Sequence, residues 1–304
     1  MNAPISPSIL SLPVVTGASS KSFSCDMSNE DYHRQHDYIS HSGMVHLLRS
    51  LAHFHAYRTQ TPVAKTTPNM GTCTHTAILE PERFAKEFVV YSGRRAGKTW
   101  DAFAQKHSDS TILNEAEFAR INGILTSLAN FSEFPLQQIL TEATREKSVF
   151  WTDEATGVQC RVRPDAYNAF AAYDLKTIDD ARPDNVIRHV MRMDYDLQAA
   201  MYTEGLRALT GKVLPFNFIF VELDAPHGIW VYPAGPTLIE SGMEKFRKGL
   251  VAFREYQESF SPLQQPYQNA ITVLEAPAWR QRSLGYGSVQ SKTISCDIDD
   301  MAYL

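Results

Sequence analysis

The sequence Cys160-Arg161-Val162-Arg163-Pro164-Asp165, followed after eight residues by Asp174-Leu175-Lys176, decides the fold prediction. The β-rich residues 158–163 and 171–177 predict two neighbouring strands joined by a turn. Side chains two positions apart on a strand share one face. Asp174 and Lys176 are therefore predicted to point together into a site, while Leu175 points into the core. The turn can bring Asp165, at the end of the first strand, beside them.

Two carboxylates and one ammonium group in this arrangement indicate a particular chemistry. Carboxylate oxygens form a hard site suited to Mg²⁺. The ammonium group can orient or help to deprotonate an attacking water, and it offsets negative charge in a transition state. The alternative interpretation is a turn acid beside an exposed Asp/Lys pair on an edge strand. The spacing alone leaves both interpretations open, because it arises often by chance.

Additional polar residues lie on the elements predicted around these strands. Gln198 and Tyr202 are four apart on a predicted helix over residues 194–209, so they share one face. The glutamine can hold a phosphate or a catalytic water, and the tyrosine can stack or donate to a phosphate. His75 lies on a predicted helix over residues 70–79, and Glu146 precedes a predicted strand and can supply a third carboxylate. Taken alone, Gln198, Tyr202 and His75 fit structural roles better than functional ones, and Glu146 fits both equally well.

The remaining pattern predicts an α/β fold with a central mixed β-sheet flanked by helices. Apolar periodicity predicts further helices, and β-rich runs predict further strands. The further helices span residues 42–57, 115–128 and 237–256, and the further strands span residues 148–152, 213–223 and 228–232. Residues 1–30 contain eight serines and predict a flexible arm, residues 31–265 a folded domain, and residues 266–304 an irregular tail.

Composition excludes several classes of protein. The four cysteines are scattered and form no C-x-x-C pair, which argues against a zinc ribbon or an iron–sulfur cluster and favours a reduced, cytoplasmic protein. No apolar run is long enough to span a membrane, and no basic residue precedes the apolar residues 9–15, so we expect neither a membrane anchor nor a secretory signal. The net charge of −5 argues weakly against a nucleic-acid partner, since basic residues can be confined to one channel.

The candidate residues occur in the order typical of RecB-type nucleases of the PD-(D/E)xK superfamily. More narrowly, the chain resembles the nuclease domain of RecE-like exonucleases (exodeoxyribonuclease VIII), over roughly residues 30–260. The similar stretches are Tyr38-Ile39-Ser40-His41-Ser42, Met70-Gly71-Thr72-Cys73-Thr74-His75, Leu79-Glu80-Pro81, Ser148-Val149-Phe150-Trp151, Cys160-Arg161-Val162-Arg163-Pro164-Asp165 and Asp174-Leu175-Lys176-Thr177.

This resemblance implies a PD-(D/E)xK nuclease fold and a processive 5′→3′ exonuclease on double-stranded DNA. It implies Mg²⁺ as the cofactor, with Mn²⁺ as an alternative and two ions in the site. The product would be a 3′ single-stranded tail for recombination by strand annealing. A homo-oligomeric ring and a single-strand annealing partner of the RecT type are also implied. A ring would answer the charge objection, because basic residues could line its channel.

The resemblance also implies a role for each candidate residue. Asp165, Asp174 and His75 become metal-site residues, with Glu146 the least secure match because the neighbouring Lys147 can alter the register. Lys176 becomes the catalytic lysine, acting with Asp165, Asp174 and Gln198. The residues expected to contact substrate are Gln198, Tyr202, Arg94, Arg95, Lys98, Arg161 and Arg163. Two other functions stay open: an endonuclease of the same fold, and a catalytically silent DNA-end-binding scaffold, against which the intact Asp/Asp/Lys set argues.

Two further sequence patterns are interpreted as having no catalytic role. Residues 93–99 resemble a phosphate-binding loop, but three residues separate the glycines where the motif needs four, and no clear strand pattern precedes them. We therefore expect no ATPase site, and only contacts from Arg94, Arg95 and Lys98 to DNA phosphates, the alternative being a solvated loop. The six histidines between positions 33 and 55 contain no H-E-x-x-H pair and are predicted to lie on the surface.

Overall fold

The computed structural model describes residues 22–60, 69–261 and 275–285. The chain divides into two compact units, Met1–Pro266 and Tyr267–Leu304. The helices of the first unit are α1 Asn29–Arg34, α2 His41–Arg49, α3 Leu51–Thr59, α4 Met70–Leu79, α5 Pro81–Glu87, α6 Lys98–Lys106, α7 Glu115–Ala129, α8 Leu136–Glu142, α9 Pro183–Arg192, α10 Tyr195–Thr210 and α11 Pro236–Ser259. Its strands are β1 Phe23–Cys25, β2 Phe88–Val90, β3 Thr111–Leu113, β4 Thr144–Arg145, β5 Ser148–Thr152, β6 Gln159–Val162, β7 Ala166–Tyr167, β8 Ala172–Ile178, β9 Phe216–Glu222 and β10 Ile229–Pro233.

A mixed sheet, five strands wide within the described residues, forms the centre of the first unit. Its order is β10-β9-β8-β7-β4. Strands β8 and β9 run parallel because α9 and α10 carry the chain back between them, and the other neighbours are antiparallel. Helices flank this sheet, so the predicted α/β fold with a central mixed sheet is confirmed.

The hairpin before β8 is divided between two sheets. The segments next to its turn, β5 and β6, pair with each other, and β5 also pairs with β1. The segments at its open end, β4 and β7, pair with each other, and β7 also pairs with β8. The division falls at Pro164, which has no backbone N–H to donate to a ladder. On the opposite arm Glu146 adopts a positive φ of 51°, as an inserted bulge residue does. The two strands therefore fork at this point.

The two faces of the central sheet pack against different helices. Apolar residues at alternate positions, such as Ala172 and Ile178, join a core with α2, α10 and α11. The intervening Tyr173 and Leu175 join a second core with α7 and α8. Asp174 and Lys176 share the face of Ala172 and Ile178, since strand side chains alternate with a period of two. Polar side chains thus interrupt an otherwise apolar face in the middle of the sheet.

Several sequence predictions need correction. The predicted arm extends too far, because Phe23–Cys25 form an edge strand on β5 and Phe23 stacks on Phe150 at 5.0 Å. The predicted helix over residues 42–57 is two helices, because Ser50 ends α2 and caps α3 through its side chain. The irregular tail contains a short helix, α12 Ala278–Ser283. The predictions for residues 1–21 and for most of the tail concern residues outside the described ranges.

The sequence predicted no strand before residues 93–99, and this prediction is also wrong, because strand β2 precedes them. Only the glycine spacing now argues against a phosphate-binding loop. No helix in the described part of the chain combines the length and apolarity needed to cross a bilayer.

Helix α10, which carries Gln198, is held against α11 by close backbone approach and by charge. A Cβ atom on Gly242 of α11 would overlap the carbonyl oxygen of Asp196. Lys245 of α11 lies 2.6 Å from a carboxylate oxygen of Asp194 and 2.8 Å from one of Asp196, and Ser241 donates to the other Asp196 oxygen at 2.7 Å. These contacts fix the start of α10 relative to the sheet.

We expect Gly242→Ala to lower the free energy of unfolding by about 1–3 kcal/mol, because overpacking forces the two helices apart. Chemical denaturation measures this change. Gly235→Ala is the matched control, since a Cβ at Gly235 meets nothing within 4 Å. Equal stability of the two variants would contradict the tight α10–α11 contact.

Candidate metal and catalytic site

The fork between the strands creates the site. Beyond Tyr173, strand β8 loses its neighbour on one side, because β7 pairs with it only through Ala166 and Tyr167, which face Tyr173 and Ala172. The carboxylate of Asp165 takes the place of that neighbour by accepting a hydrogen bond from the Leu175 N–H at 2.6 Å. Pro164 therefore places Asp165 at the fork, with one carboxylate oxygen tied to the strand that carries Asp174 and Lys176.

Three predicted metal-site residues converge beside this fork. His75 of α4 places Nε2 2.9 Å from Asp165 Oδ2 and Nδ1 3.5 Å from Glu146 Oε1. One ligand atom from each of His75, Glu146 and Asp165 lies within 4.8 Å of the others. Gly71 lets α4 approach β8, since a Cβ there would lie 3.0 Å from Thr177 Oγ1. The bulge at Glu146 aims this side chain at the cluster, and the sequence left that placement open.

Asp174 lies on the other side of the fork, held by two side chains. Its side chain is 1% exposed. Gln198 Nε2 donates to Asp174 Oδ1 at 2.7 Å, and Lys176 Nζ lies 2.5 Å from Asp174 Oδ2. The Lys176 ammonium also lies 4.5 Å from the centroid of the Tyr195 ring. Asp174 is thus near the cluster of His75, Glu146 and Asp165, but its oxygens face Gln198 and Lys176.

Crowding of acidic groups dominates the electrostatics. Burial and the charge of Asp165 raise the pKa of Asp174 to about 6, and the same two causes raise the pKa of Glu146 to about 7. Burial would also raise the pKa of Asp165, but His75 and Lys176 hold it below its ordinary value. These shifts show an excess of negative charge at the site, which a bound cation would relieve.

The pKa values of the two basic side chains, His75 and Lys176, are raised by their acidic neighbours although burial alone would lower them. Burial would lower the pKa of His75, but the charge and hydrogen bond of Asp165 raise it to about 9. Burial would likewise lower the pKa of Lys176, but Asp174 and Asp165 raise it above its usual value. Both side chains are therefore protonated near neutral pH in the metal-free protein.

A cleft of about 450 Å³ opens onto Lys176. Gln198, Tyr202 and Arg163 also line it, and α1 and α2 form its opposite wall. Tyr202 is buried, and burial raises the pKa of its hydroxyl well above the ordinary range. The structure thus brings Gln198 and Tyr202 of α10 to the same cleft as Lys176 of β8.

The predicted arginines have structural partners. Arg163 donates to the Ser148 hydroxyl at 2.8 Å and to the Met27 carbonyl at 3.1 Å. Arg161 donates to the Tyr32 carbonyl, and both guanidinium groups lie against the Tyr32 ring, at 4.6 Å for Arg161 and 4.2 Å for Arg163.

The basic loop is a separate feature. Arg95 donates to the Ile112 carbonyl and pairs with Glu117 at 3.0 Å, whereas Arg94 and Lys98 are exposed. Across the described part of the chain, none of these three residues makes an ion pair or hydrogen bond with the acidic cluster. Their predicted contact with DNA stays a prediction.

Sequence reasoning missed His41. The prediction of a surface histidine is wrong here, because His41 lines the cleft and its Nε2 lies 3.0 Å from the Asp194 carbonyl oxygen. Burial lowers the pKa of His41 to about 4, so its imidazole is neutral. Tyr195, which covers Lys176, was also missed. The signals were the Ser40 cap before His41 and the position of Tyr195 at the start of α10.

A forked mixed sheet with Asp165 at the fork and Asp174-x-Lys176 on the next strand defines a PD-(D/E)xK nuclease fold. Residues 40–262 match the family described as DUF3799, PDDEXK-like domain of unknown function, and the chain belongs to that family. The match spans most of the 304 residues.

A solved structure has the same fold. It is that of a Eubacterium rectale protein described as a "putative exonuclease", with a TM-score of 0.55 and 13% identity, over 82% of this chain and 97% of that one. At this identity the likeness shows the fold alone. Among curated proteins, no match was found.

The raised pKa values predict how Mg²⁺ stabilises the protein as pH changes. His75 binds its proton more tightly when folded, so its contribution to stability is lost as pH rises from its ordinary 6.5 through about 9. The carboxyl groups of Asp174 and Glu146 also bind protons more tightly when folded, with pKa values of about 6 and about 7. The stability that their protonation contributes is therefore lost as the pH rises through these two values, before His75 has lost its proton. Metal binding needs the deprotonated forms.

We therefore expect the gain in melting temperature from Mg²⁺ over EDTA to increase between pH 6.5 and 9, as differential scanning fluorimetry would measure. His75→Gln should flatten the increase. A gain that stays constant across this interval in the wild-type protein would count against a metal site at His75.

Proposed function

We propose that the protein is a metal-dependent exodeoxyribonuclease that degrades double-stranded DNA from its ends. The observation that carries this proposal is the convergence of His75, Glu146 and Asp165 next to the buried Asp174/Lys176 pair. Two carboxylate oxygens and one imidazole nitrogen within 4.8 Å form a donor set that fits Mg²⁺, with Mn²⁺ as the alternative ion.

The excess of carboxylates supports the presence of a divalent ion. His75 would release its proton to become a ligand together with Glu146 and Asp165, and Asp174 could hold a second ion by turning from Lys176. Bound ions would neutralise charge on the scissile phosphate and make a water more acidic. Two ions at this site agree with the number implied by the resemblance to RecE-like exonucleases.

The remaining polar residues have roles that follow from their protonation. Because Asp174 and Asp165 keep Lys176 protonated, its ammonium group suits donation to the water and the phosphate better than removal of a proton. Gln198 holds Asp174 in place through its amide N–H. The phenol of Tyr202, whose pKa is far above neutral, can only donate to a phosphate oxygen. Each group is positioned before substrate binds.

The finer points of the proposal rest on resemblance. They are cleavage in the 5′→3′ direction, processive action, a 3′ single-stranded product for strand annealing, a homo-oligomeric ring and a partner of the RecT type. A ring would place the DNA end against the cleft between α1, α2 and α10. Three of the short stretches that carry the resemblance contribute residues to this cleft, through His41, Arg163 and Lys176.

We expect Asp174→Asn to lower the rate of DNA cleavage by about 10²–10⁴-fold, because the amide keeps the shape but removes a carboxylate from the site. Release of acid-soluble nucleotide from linear duplex DNA in Mg²⁺ measures the rate. The matched control is Asp179→Asn, which removes an exposed carboxylate further along the same chain segment. Near-normal cleavage by Asp174→Asn with a normal melting temperature would refute the assignment.

Digestion of linear duplex DNA labelled at either the 5′ or the 3′ end tests the direction of cleavage. We expect early release of the 5′ label in Mg²⁺, none in EDTA, and no loss of covalently closed circles. Cutting of the circles would instead identify an endonuclease of the same fold. DNA binding without cleavage in any divalent metal would identify a silent DNA-end-binding scaffold.

A further inference from the structure

A second cavity adjoins the cleft but lies away from the acidic cluster. It measures about 760 Å³ and is lined by α1, by the segment before α2, by α3 and by β6. His33 and Ser40 line both this cavity and the catalytic cleft. The two spaces are therefore neighbours that meet at these side chains.

Arg161 forms the buried wall of the second cavity. The residue is 5% exposed, yet its Nε has no hydrogen-bond partner among the residues that the structure describes. In residues 22–60, 69–261 and 275–285, the only hydrogen bond of its guanidinium group is to the Tyr32 carbonyl, and no carboxylate pairs with it. The nearby Glu30 is already paired with Arg34. Arg161 is thus a buried cation without a counter-ion in the described chain.

Burying an uncompensated charge is unfavourable, and an anion in the cavity would offset it. The local field has the sign that such an anion needs. Burial lowers the pKa of His33, and the charges of Arg161 and Arg163 lower it further. Burial also lowers the pKa of His36, with Arg58 and Arg161 adding to the effect. Cations therefore dominate the potential around this cavity.

Aromatic side chains supply the rest of the lining. Tyr38 and Tyr57 line the cavity and are partly exposed, beside the guanidinium group of Arg58. Tyr57 is held in place by stacking on His46, with ring centroids 4.4 Å apart. Cationic grooves with aromatic rings are the usual environment for a phosphate and its base in single strands, because each base can stack on a ring.

The strand that carries Arg161 leads from this cavity to the acidic cluster. Arg161 lies on β6, Arg163 follows the end of the strand, and Asp165 lies two residues further on, after Pro164. Arg161 lines the second cavity, Arg163 lines the cleft, and Asp165 belongs to the cluster. A DNA strand passing from the second cavity into the cleft would meet these two cations before it reaches the carboxylates.

We propose that the second cavity binds one nucleotide of a single DNA strand, with its phosphate on Arg161 and its base against Tyr38 and Tyr57. This inference rests on the proposed function in one respect, namely that the ligand is the DNA on which the site acts. It adds a place for unpaired DNA beyond the acidic cluster. Duplex DNA reaching it would have to separate its strands, because a base inside a duplex stacks on its neighbouring bases and has no face free for a side chain.

The test is binding of a fluorescent single-stranded oligonucleotide in EDTA, measured by anisotropy at several salt concentrations. We expect Arg161→Gln to weaken binding about tenfold. The slope of log affinity against log salt concentration should decrease by about 0.7, the value for one phosphate contact on a single strand. Lys248→Gln, which removes one exposed positive charge from α11, is the matched control and should change neither quantity.

A second variant tests the base. Wild-type protein should bind a normal oligonucleotide about tenfold more tightly than an abasic one of equal length, and Tyr57→Leu should remove this preference without changing the salt slope. A folded Arg161→Gln protein with unchanged affinity and slope would overturn the proposal, as would equal wild-type affinity for normal and abasic strands. This second result decides the matter if Arg161→Gln does not fold.

Two further arms identify the ligand and separate this inference from the proposed function. Deoxynucleoside monophosphate should compete for the oligonucleotide better than inorganic phosphate, and equal competition would show a plain anion site and overturn the proposal. Because EDTA prevents cleavage, binding is read without activity. A protein that binds as expected but never cleaves DNA would refute the proposed nuclease and leave the nucleotide site standing.

Discussion

The mutual repulsion of Asp165 and Asp174 is the constraint on which the rest of the structure depends. Both carboxylates are removed from bulk water at the fork, where each would be unstable without opposite charge. His75 supplies that charge to Asp165 from α4, and Lys176 supplies it to Asp174 from the same strand. The compensation is incomplete, since the pKa of Asp174 still rises to about 6. The site therefore retains an excess of negative charge that further positive charge would stabilise.

The scaffold keeps the two carboxylates at the fork by removing their freedom to separate. Asp165 is tied to the Leu175 N–H, so it cannot leave the strand that carries Asp174. Gln198 restrains Asp174 from the other side, and α10 is in turn fixed by the contacts of Lys245 with Asp194 and Asp196. Rigid support of this kind is what a site needs when charge must be positioned before substrate arrives.

Much of this arrangement could be predicted from the sequence, because strand periodicity and two-residue alternation are local properties. The pairing of Asp174 with Lys176 and the helix carrying Gln198 follow from such patterns. The fork does not, since the positive φ of Glu146 results from pairing between distant segments. Strand β1 was missed because three residues show no period, and the break of α2 from α3 depends on one serine acting as a cap. Arg161 and Arg163 were predicted as substrate contacts, but their packing on Tyr32 required the tertiary structure.

The net charge of −5 does not describe where the charged side chains lie in the fold. Arg161 on β6 and the following Arg163 precede Asp165 at the fork, so two cations come before a carboxylate along one segment of the chain. An anionic polymer is attracted by the first part of this series, whereas the carboxylates at its end need positive ions before they can approach a phosphate. In the proposed nuclease, binding and cleavage would make opposite demands on local charge, and this segment would meet both because its cations and its carboxylate are separated along the chain. The net charge summed over 304 residues contains no information about that separation.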